Sequence, residues 1–236
     1  MSLVSVVKDV CLNVGVLVPT SVFTNITANR TMQEMLSLAN EMAQRISYDT
    51  RDWTRLRALQ EYTGDGATKD YDLPANYKRM ILTANVWRSD QTQGPMRFVP
   101  DPDDWVRRRL QGISDSRGEW TIYGGQIHFA SALPAGVKAM FVYLDKNCVN
   151  LNAGGAGDTF MNDADSFLLD ERLLKLGMIW QWKAKKGSPY AEDMGTYADA
   201  LMLAMGKDAP APIIVGNAPI SDSINATVAY PWPVPT

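Results

Sequence analysis

The chain has 236 residues, 46% of them hydrophobic and 21% charged, an ordinary globular composition long enough to bury a core without staples, as one large domain or two small ones. A formal net charge of -3 argues against a protein that grips nucleic acid by neutralising phosphates in bulk, although local contact with DNA stays open. Two separated cysteines, Cys11 and Cys148, and a single histidine, His128, exclude the usual zinc frameworks and give no sign of a secreted disulfide scaffold.

Residues 1–18 are apolar but carry Lys8 and Asp9 and no small-residue cleavage site, so they read as a poor signal peptide and are too short and charged to span a bilayer. The Asn-x-Thr triplets at Asn25, Asn29 and Asn225 carry no glycosylation reading without an export signal. Leu3, Val6, Val7, Val10, Leu12 and Val14 fit one face of a short helix that Gly15 stops. Cys11 lies on that face and reads as a buried, reduced thiol. Residues 16–29 form a connector. Thr31 and Glu34 have capping-box spacing ahead of Met32, Met35, Leu36, Ala39, Met42, Ala43 and Ile46, which predicts an amphipathic helix from Met32 to about Tyr48.

The period then changes. Residues 59–63 predict a strand, Gly64-Asp65-Gly66 a turn, and residues 69–73 a returning strand ended by Pro74. Residues 79–87 are a further strand candidate. Asp101-Pro102-Asp103-Asp104 combines a capping Asp, Pro at the first helical position and acids at the positive helix end, predicting a helix that closes near Gly112. Gly124-Gly125 predicts a two-residue hairpin turn pairing Tyr123 with Gln126, Ile122 with Ile127, Thr121 with His128 and Trp120 with Phe129, with the apolar residues on one face. Residues 138–144 predict another strand and 147–162 a Gly/Asn-rich loop. From Asp165 a helical period that is apolar around most of its circumference predicts a central buried helix to about Lys186. Gly187 ends it, and Ser188-Pro189 opens a last helix carrying Tyr197, Leu201 and Met205. Residues 207–236 hold six prolines, few charges, and Ile213, Ile214, Val215, Tyr230 and Trp232; a solvated tail is usually more charged and less aromatic, so this stretch reads as an extended, docking arm.

Catalytic signatures are sparse. The sequence contains neither Gly-x-Ser-x-Gly nor His-Glu-x-x-His. His128 reads as a surface or hydrogen-bonded histidine, and the Gly154–Thr159 stretch as a mobile loop rather than a phosphate cradle, since it lacks the Lys-Ser/Thr ending. Asp163, Asp165, Asp170 and Glu171 read as helix-start carboxylates. Asp70, Asp72, Asp163 and Asp165 are the conceivable acids for a carboxylate-based hydrolase of cell-wall sugars. Arg107, Arg108 and Arg109, and the cluster between Lys183 and Lys186, read first as cations complementing helix ends; the first cluster is also the candidate for DNA or subunit contact in a nucleic-acid-binding reading. Met32, Met35 and Met42 read as core that also suits an interface. No cofactor or metal site is expected.

One resemblance runs through this order of elements. It is carried by the short first helix; the second helix ending in Tyr48-Asp49-Thr50-Arg51-Asp52-Trp53; Tyr62-Thr63-Gly64-Asp65-Gly66 followed by Tyr71-Asp72-Leu73-Pro74-Ala75-Asn76-Tyr77; Gly118 to Ile127 with Leu133-Pro134-Ala135-Gly136 and a strand through Tyr143; and the helical pair between Asp165 and Met205. Over about residues 2–208 this resembles the head-to-tail adaptor (connector) proteins of tailed bacteriophages, and is similar to the tail-accessory or tubular adaptors of short-tailed phages.

The resemblance implies an α+β fold. Helices within 1–56 and 163–206 form a bundle, a β-rich region at 57–147 is inserted between them, 1–206 is a single adaptor domain, and 207–236 is an extended C-terminal arm. It also implies a non-enzymatic virion protein made in the bacterial cytoplasm and placed at the neck. There it would form a ring, twelve subunits in such adaptors, beneath the portal. That ring extends the DNA channel without sequence-specific binding or membrane contact, and offers a site to the next tail or nozzle protein. Ile213, Ile214, Val215, Tyr230 and Trp232 would anchor the arm in grooves of the portal or a neighbouring subunit.

Overall fold

A computed structural model describes residues 2–24, 26, 29–82, 84–91, 93–113 and 115–208. Helix α1 (Leu3–Val14) buries Leu3, Val6, Val7, Val10 and Cys11 and ends on Gly15 in the left-handed conformation. Leu12, expected on the apolar face, is exposed. Helix α2 (Arg30–Tyr48) starts earlier than the sequence pattern indicates: Asn29 is the cap, accepting from the Thr31 and Met32 amides at 3.0 and 3.4 Å. Asn is a stronger cap than Thr, so the expected Thr31–Glu34 capping box does not form, and Glu34 pairs instead with Arg30 and Lys186.

The chain then runs through a short 3-10 turn (Thr54–Leu56) into strand β1 (Arg57–Thr63). Strands β2 (Asp70–Asp72), β3 (Tyr77–Met80), β4 (Trp87–Arg88) and β5 (Arg97–Phe98) precede helix α3 (Pro102–Gln111). The expected hairpin between residues 59–63 and 69–73 is not made. β1 pairs antiparallel with β8 (Lys138–Asp145), whereas β2 pairs with β7 (Gln126–Phe129). The linking turn hydrogen-bonds elsewhere: Gly64 N–H donates to Val137 O and Gly66 N–H to Leu133 O. The expected strand over residues 79–87 is broken into β3 and β4, two short stretches on the same edge of β8.

The hairpin of β6 (Glu119–Tyr123) and β7 has the register expected from Gly124-Gly125, pair for pair. Its apolar face buries Trp120, Ile127 and Phe129. The opposite face is polar but not open: Thr121 and His128 are also buried. β5 adds parallel to β6, giving the order β2-β7-β6-β5. Helix α3 has the expected start, with Asp101 accepting from the Asp103 amide and Pro102 at the first position, and closes on Gly112.

The Gly/Asn-rich stretch after β8 is structured by a small antiparallel sheet of β9 (Val149–Asn150), β10 (Ala156–Gly157) and β11 (Ser166–Phe167). Helix α4 (Glu171–Lys185) therefore starts six residues later than the apolar pattern indicates, capped by Asp170 rather than opening at Asp165. Helix α5 (Ala191–Asp208) runs two residues past the expected domain limit at 206.

α4 is the central helix, packed against α1, α2 and α5. Residues of all four helices share one core with Trp53, Leu144, Cys148, Val149, Phe160 and Phe167. A second core lies among the strands around Tyr62, Trp120, Ile127, Phe129 and Phe141. Burying two apolar cores is the main favourable contribution to folding. The fold is thus mixed α+β, with helices from the two ends of the described chain brought together and the main strands between them.

Candidate interaction surfaces

The three consecutive arginines of α3 do not form one cationic patch. Arg107, 63% exposed at its side chain, pairs with Asp104. Arg108 bridges Asp104 at 2.8 Å and Glu119 of β6 at 2.7 Å. Glu119 is fully buried with its second oxygen unpartnered among the described residues, so Arg108 supplies the compensation that a buried carboxylate requires. Arg109 lies over the Trp105 ring at 5.9 Å. The two neighbouring arginines hold the carboxyl of Asp104 below its ordinary range.

The lysines at the end of α4 also face carboxylates. Lys183 meets Asp193 at 2.6 Å, Lys185 meets Glu41 at 3.1 Å and Lys186 meets Glu34 at 2.7 Å. They tie α4 to α5 and α2, in addition to complementing the helix end.

The acids that a hydrolase would need are held in structural roles. The Asp165 carboxylate, 1% exposed, accepts from the amides of Asn152, Met161 and Asn162 at 2.9, 2.7 and 2.7 Å. Its own carbonyl accepts from Leu3 N–H at 2.7 Å, and the Asp163 carbonyl from Val4 N–H at 3.1 Å. Ser2 makes no side-chain cap on α1, so these loop carbonyls take up amides that a helix start leaves orphaned. The Asp163 side chain holds the connector through the Ser21 hydroxyl and Val22 amide. Asp170 caps α4 and Glu171 is its first residue. Asp72 accepts from the side-chain NH₂ of Gln126 at 2.8 Å.

Asp70 lies across from His128 on the neighbouring strand, 2.7 Å from its Nδ1. The other ring nitrogen faces the Tyr123 carbonyl at 3.3 Å, and the imidazole stacks on the Tyr123 ring at 3.7 Å. Both ring nitrogens are therefore engaged within the sheet. The Gly154–Thr159 stretch, expected as a loop, supplies the turn into β10, closed by Leu151 N–H to Gly155 O at 3.0 Å, and contributes β10 itself. Among the described residues no His, Cys, Asp or Glu group has the make-up of a metal site. No helix there is long and apolar enough to cross a membrane.

One apolar groove lies on the sheet. The outer face of β1, β8 and β4 carries Leu59 opposite Val142, and Met140 opposite Trp87. Together with Ile81, Ala84 and Phe141 these line a groove of about 450 Å³. Leu59 is 63% exposed and the adjacent Leu82 is 92% exposed. Asp208, the last described residue, is fixed to the turn ahead of β1: its carboxylate accepts from the Thr54 amide at 3.2 Å and from the Thr54 hydroxyl, and lies 3.5 Å from Arg51. Ile213, Ile214, Val215, Tyr230 and Trp232 of the expected arm lie outside the described residues.

No family model matches the chain, and no curated protein matches it.

Two features escaped the sequence reading. The Arg108–Glu119 bridge spans two elements, and only its Asp104 half follows helical spacing. The Asp208 clamp joins residues 154 positions apart. One signal for the groove was present: Leu59 is the apolar residue of an otherwise polar alternation, Arg57-x-Leu59-x-Glu61, along an edge strand.

Proposed function

We propose that this chain is a structural subunit of a phage virion, a ring-forming head-to-tail adaptor. It binds the portal, neighbouring copies of itself and a downstream tail component, with DNA passing through the ring. The observation that carries the reading is the joining of helices from the N-terminal and C-terminal parts of the chain in one α4-centred core, with a separate β-rich core between them. That is the arrangement implied by the resemblance to phage adaptors. The candidate acids lend no support to a hydrolase, because Asp163 and Asp165 are engaged in holding loops to α1 and the connector. The arginine cluster lends little to a nucleic-acid-binding module, because Arg108 is committed to a buried carboxylate.

In this reading the arm residues Ile213, Ile214, Val215, Tyr230 and Trp232 supply apolar anchors for the portal or a neighbour. The test is a chain cut after Asp208, which keeps the clamp on Thr54. The shortened protein should melt as the full chain does yet fail to associate with the portal. Undiminished portal binding would remove the arm from the account.

A further inference from the structure

We infer that β1 pairs edge to edge with β1 of a second copy, antiparallel about a twofold axis at Leu59, so that Arg57 of each chain lies opposite Glu61 of the other. The inference does not rest on the adaptor reading, because a twofold contact between two copies is a different symmetry operation from the rotation that closes a larger ring. Three observations carry it.

The first is an open edge. β1 is the last strand of its sheet, in the order β1-β8-β3. Gly64 N–H donates to Val137 O, continuing the β1–β8 register. Hydrogen-bonded and non-bonded pairs alternate along an antiparallel ladder, so Ala58, Gln60 and Tyr62 turn their backbone groups toward β8, and Arg57, Leu59 and Glu61 turn theirs outward. Among the described residues the Leu59 and Glu61 amides have no partner. An open edge of this kind is a template for another strand.

The second is which groups on that edge are already satisfied. Arg57 N–H donates to Thr54 O, and the Glu61 carbonyl accepts from the Gln60 side-chain amide at 3.3 Å. With Leu59 opposite Leu59 of the second copy, the two leucines exchange both backbone bonds, and each Glu61 N–H donates to the Arg57 carbonyl facing it. The bond this register omits, from Arg57 N–H to the Glu61 carbonyl, is the one between groups that already have partners. Sliding the register to put Leu59 opposite Glu61 aims the Leu59 amide at the occupied carbonyl instead.

The third is self-complementary chemistry. Arg57, Leu59 and Glu61 share the exposed face of the strand. Arg57 meets only the Asp52 carbonyl, at 3.1 Å, and has no ion pair among the described residues. Glu61 pairs with Lys138 at 2.6 Å, and a carboxylate has capacity for a second donor. The twofold register places Arg57 against Glu61 on both sides of the axis and leucine against leucine at its centre, pairs that favour strand association. Charge and countercharge lie on one strand, symmetrically about Leu59, which is why the occupant is a second copy of this chain. The apolar face formed by Leu59, Met140, Val142 and Trp87 then continues across the axis.

The test is sedimentation velocity on the full-length chain from ~1 to ~300 µM, with amide exchange on the same samples. The inference expects a monomer–dimer equilibrium with Kd below ~100 µM. Arg57→Glu alone and Glu61→Arg alone each create like-charge pairs and should weaken dimerisation at least ~10-fold, whereas the Arg57→Glu/Glu61→Arg double variant should return to within ~3-fold of the parent. Leu59→Pro removes an outward N–H, a change an edge strand tolerates, and should give a folded monomer. Exchange at the Leu59 and Glu61 amides of the parent should slow as concentration rises. A parent that stays monomeric through ~300 µM would overturn the inference. So would a dimer indifferent to the single reversals, or one the double reversal does not restore. None of these outcomes involves the portal, so failure here is distinguishable from failure of the adaptor reading.

Discussion

Replacing Asp165 by Ala removes three hydrogen bonds from backbone amides to one buried carboxylate, at 2.7 to 2.9 Å. A hydrogen bond to a charged group contributes about 1.5–3 kcal/mol, and the loss is largest where the abandoned donor stays buried. The three bonds here are part-buried rather than fully enclosed, which leaves water a route to the freed amides in the variant. About 1 kcal/mol per bond is then the appropriate scale, giving a loss of ~3 kcal/mol. For a chain of this length that corresponds to a fall of ~6–12 °C in Tm. Asp165→Asn should lose somewhat less, ~2 kcal/mol, because one carboxamide oxygen serves part of the set while its NH₂ faces a remaining donor. Asp70→Ala, at a carboxylate 46% exposed, should cost under about 1 kcal/mol. Urea unfolding, with the slope compared between variants, measures all three. An Asp165→Ala protein within ~0.5 kcal/mol of the parent would refute a loop-holding role, because surface substitutions fall in that range.

The arginines of α3 should separate by partner. Arg108→Ala strands the buried Glu119 charge and should cost ~2–4 kcal/mol, against under about 1 kcal/mol for Arg107→Ala or Arg109→Ala; equal small effects in chemical denaturation would contradict the bridge. Gly64→Ala places a methyl against the Pro134 carbonyl and 2.6 Å from Leu133 Cβ, and should cost ~1–3 kcal/mol by overpacking. Gly177→Ala meets the tip of Met42, itself fully buried, and lies 3.3 Å from the Tyr197 ring, so up to about 1 kcal/mol of helix propensity offsets part of the overpacking and the variant should lose less than Gly64→Ala in the same assay. Hydrogen bonds from the Thr68 hydroxyl and the Thr68 and Ala67 amides hold Asp65 down at about 2, below an unfolded value of ~3.9. Its contribution to the turn is therefore complete above about pH 4 and lost as pH falls through about 2. The Thr68 amide shift, followed by NMR, should titrate near pH 2, and a midpoint near 4 would contradict the geometry.

What was legible in the sequence was local. Gly124-Gly125 determined the hairpin register because only a two-residue turn separates the paired strands. Asp101-Pro102 announced α3 because the cap and the proline act within one helical turn. The misreadings share a cause in distant partners. Residues 59–63 and 69–73 looked like one hairpin, but β8, beginning at Lys138, competes for β1 and wins along its whole length. Asp165 and Asp170 are equally plausible helix starts by local rules. The choice is made by the amides of Asn152, Met161 and Asn162, which hold Asp165 in the loop. Among the candidate sites, the carboxylates and arginines could be named from sequence, but their pairing with Leu3, Val22 and Glu119 could not, because those contacts join residues brought together only by folding.

The most direct test of the adaptor reading is the mass of the full-length protein, alone and mixed with its candidate portal, by light scattering coupled to size exclusion. The account predicts a saturable complex whose mass equals the portal plus a ring of this chain, twelve copies where the resemblance holds. A protein that leaves the portal's mass unchanged at saturating concentration would contradict it.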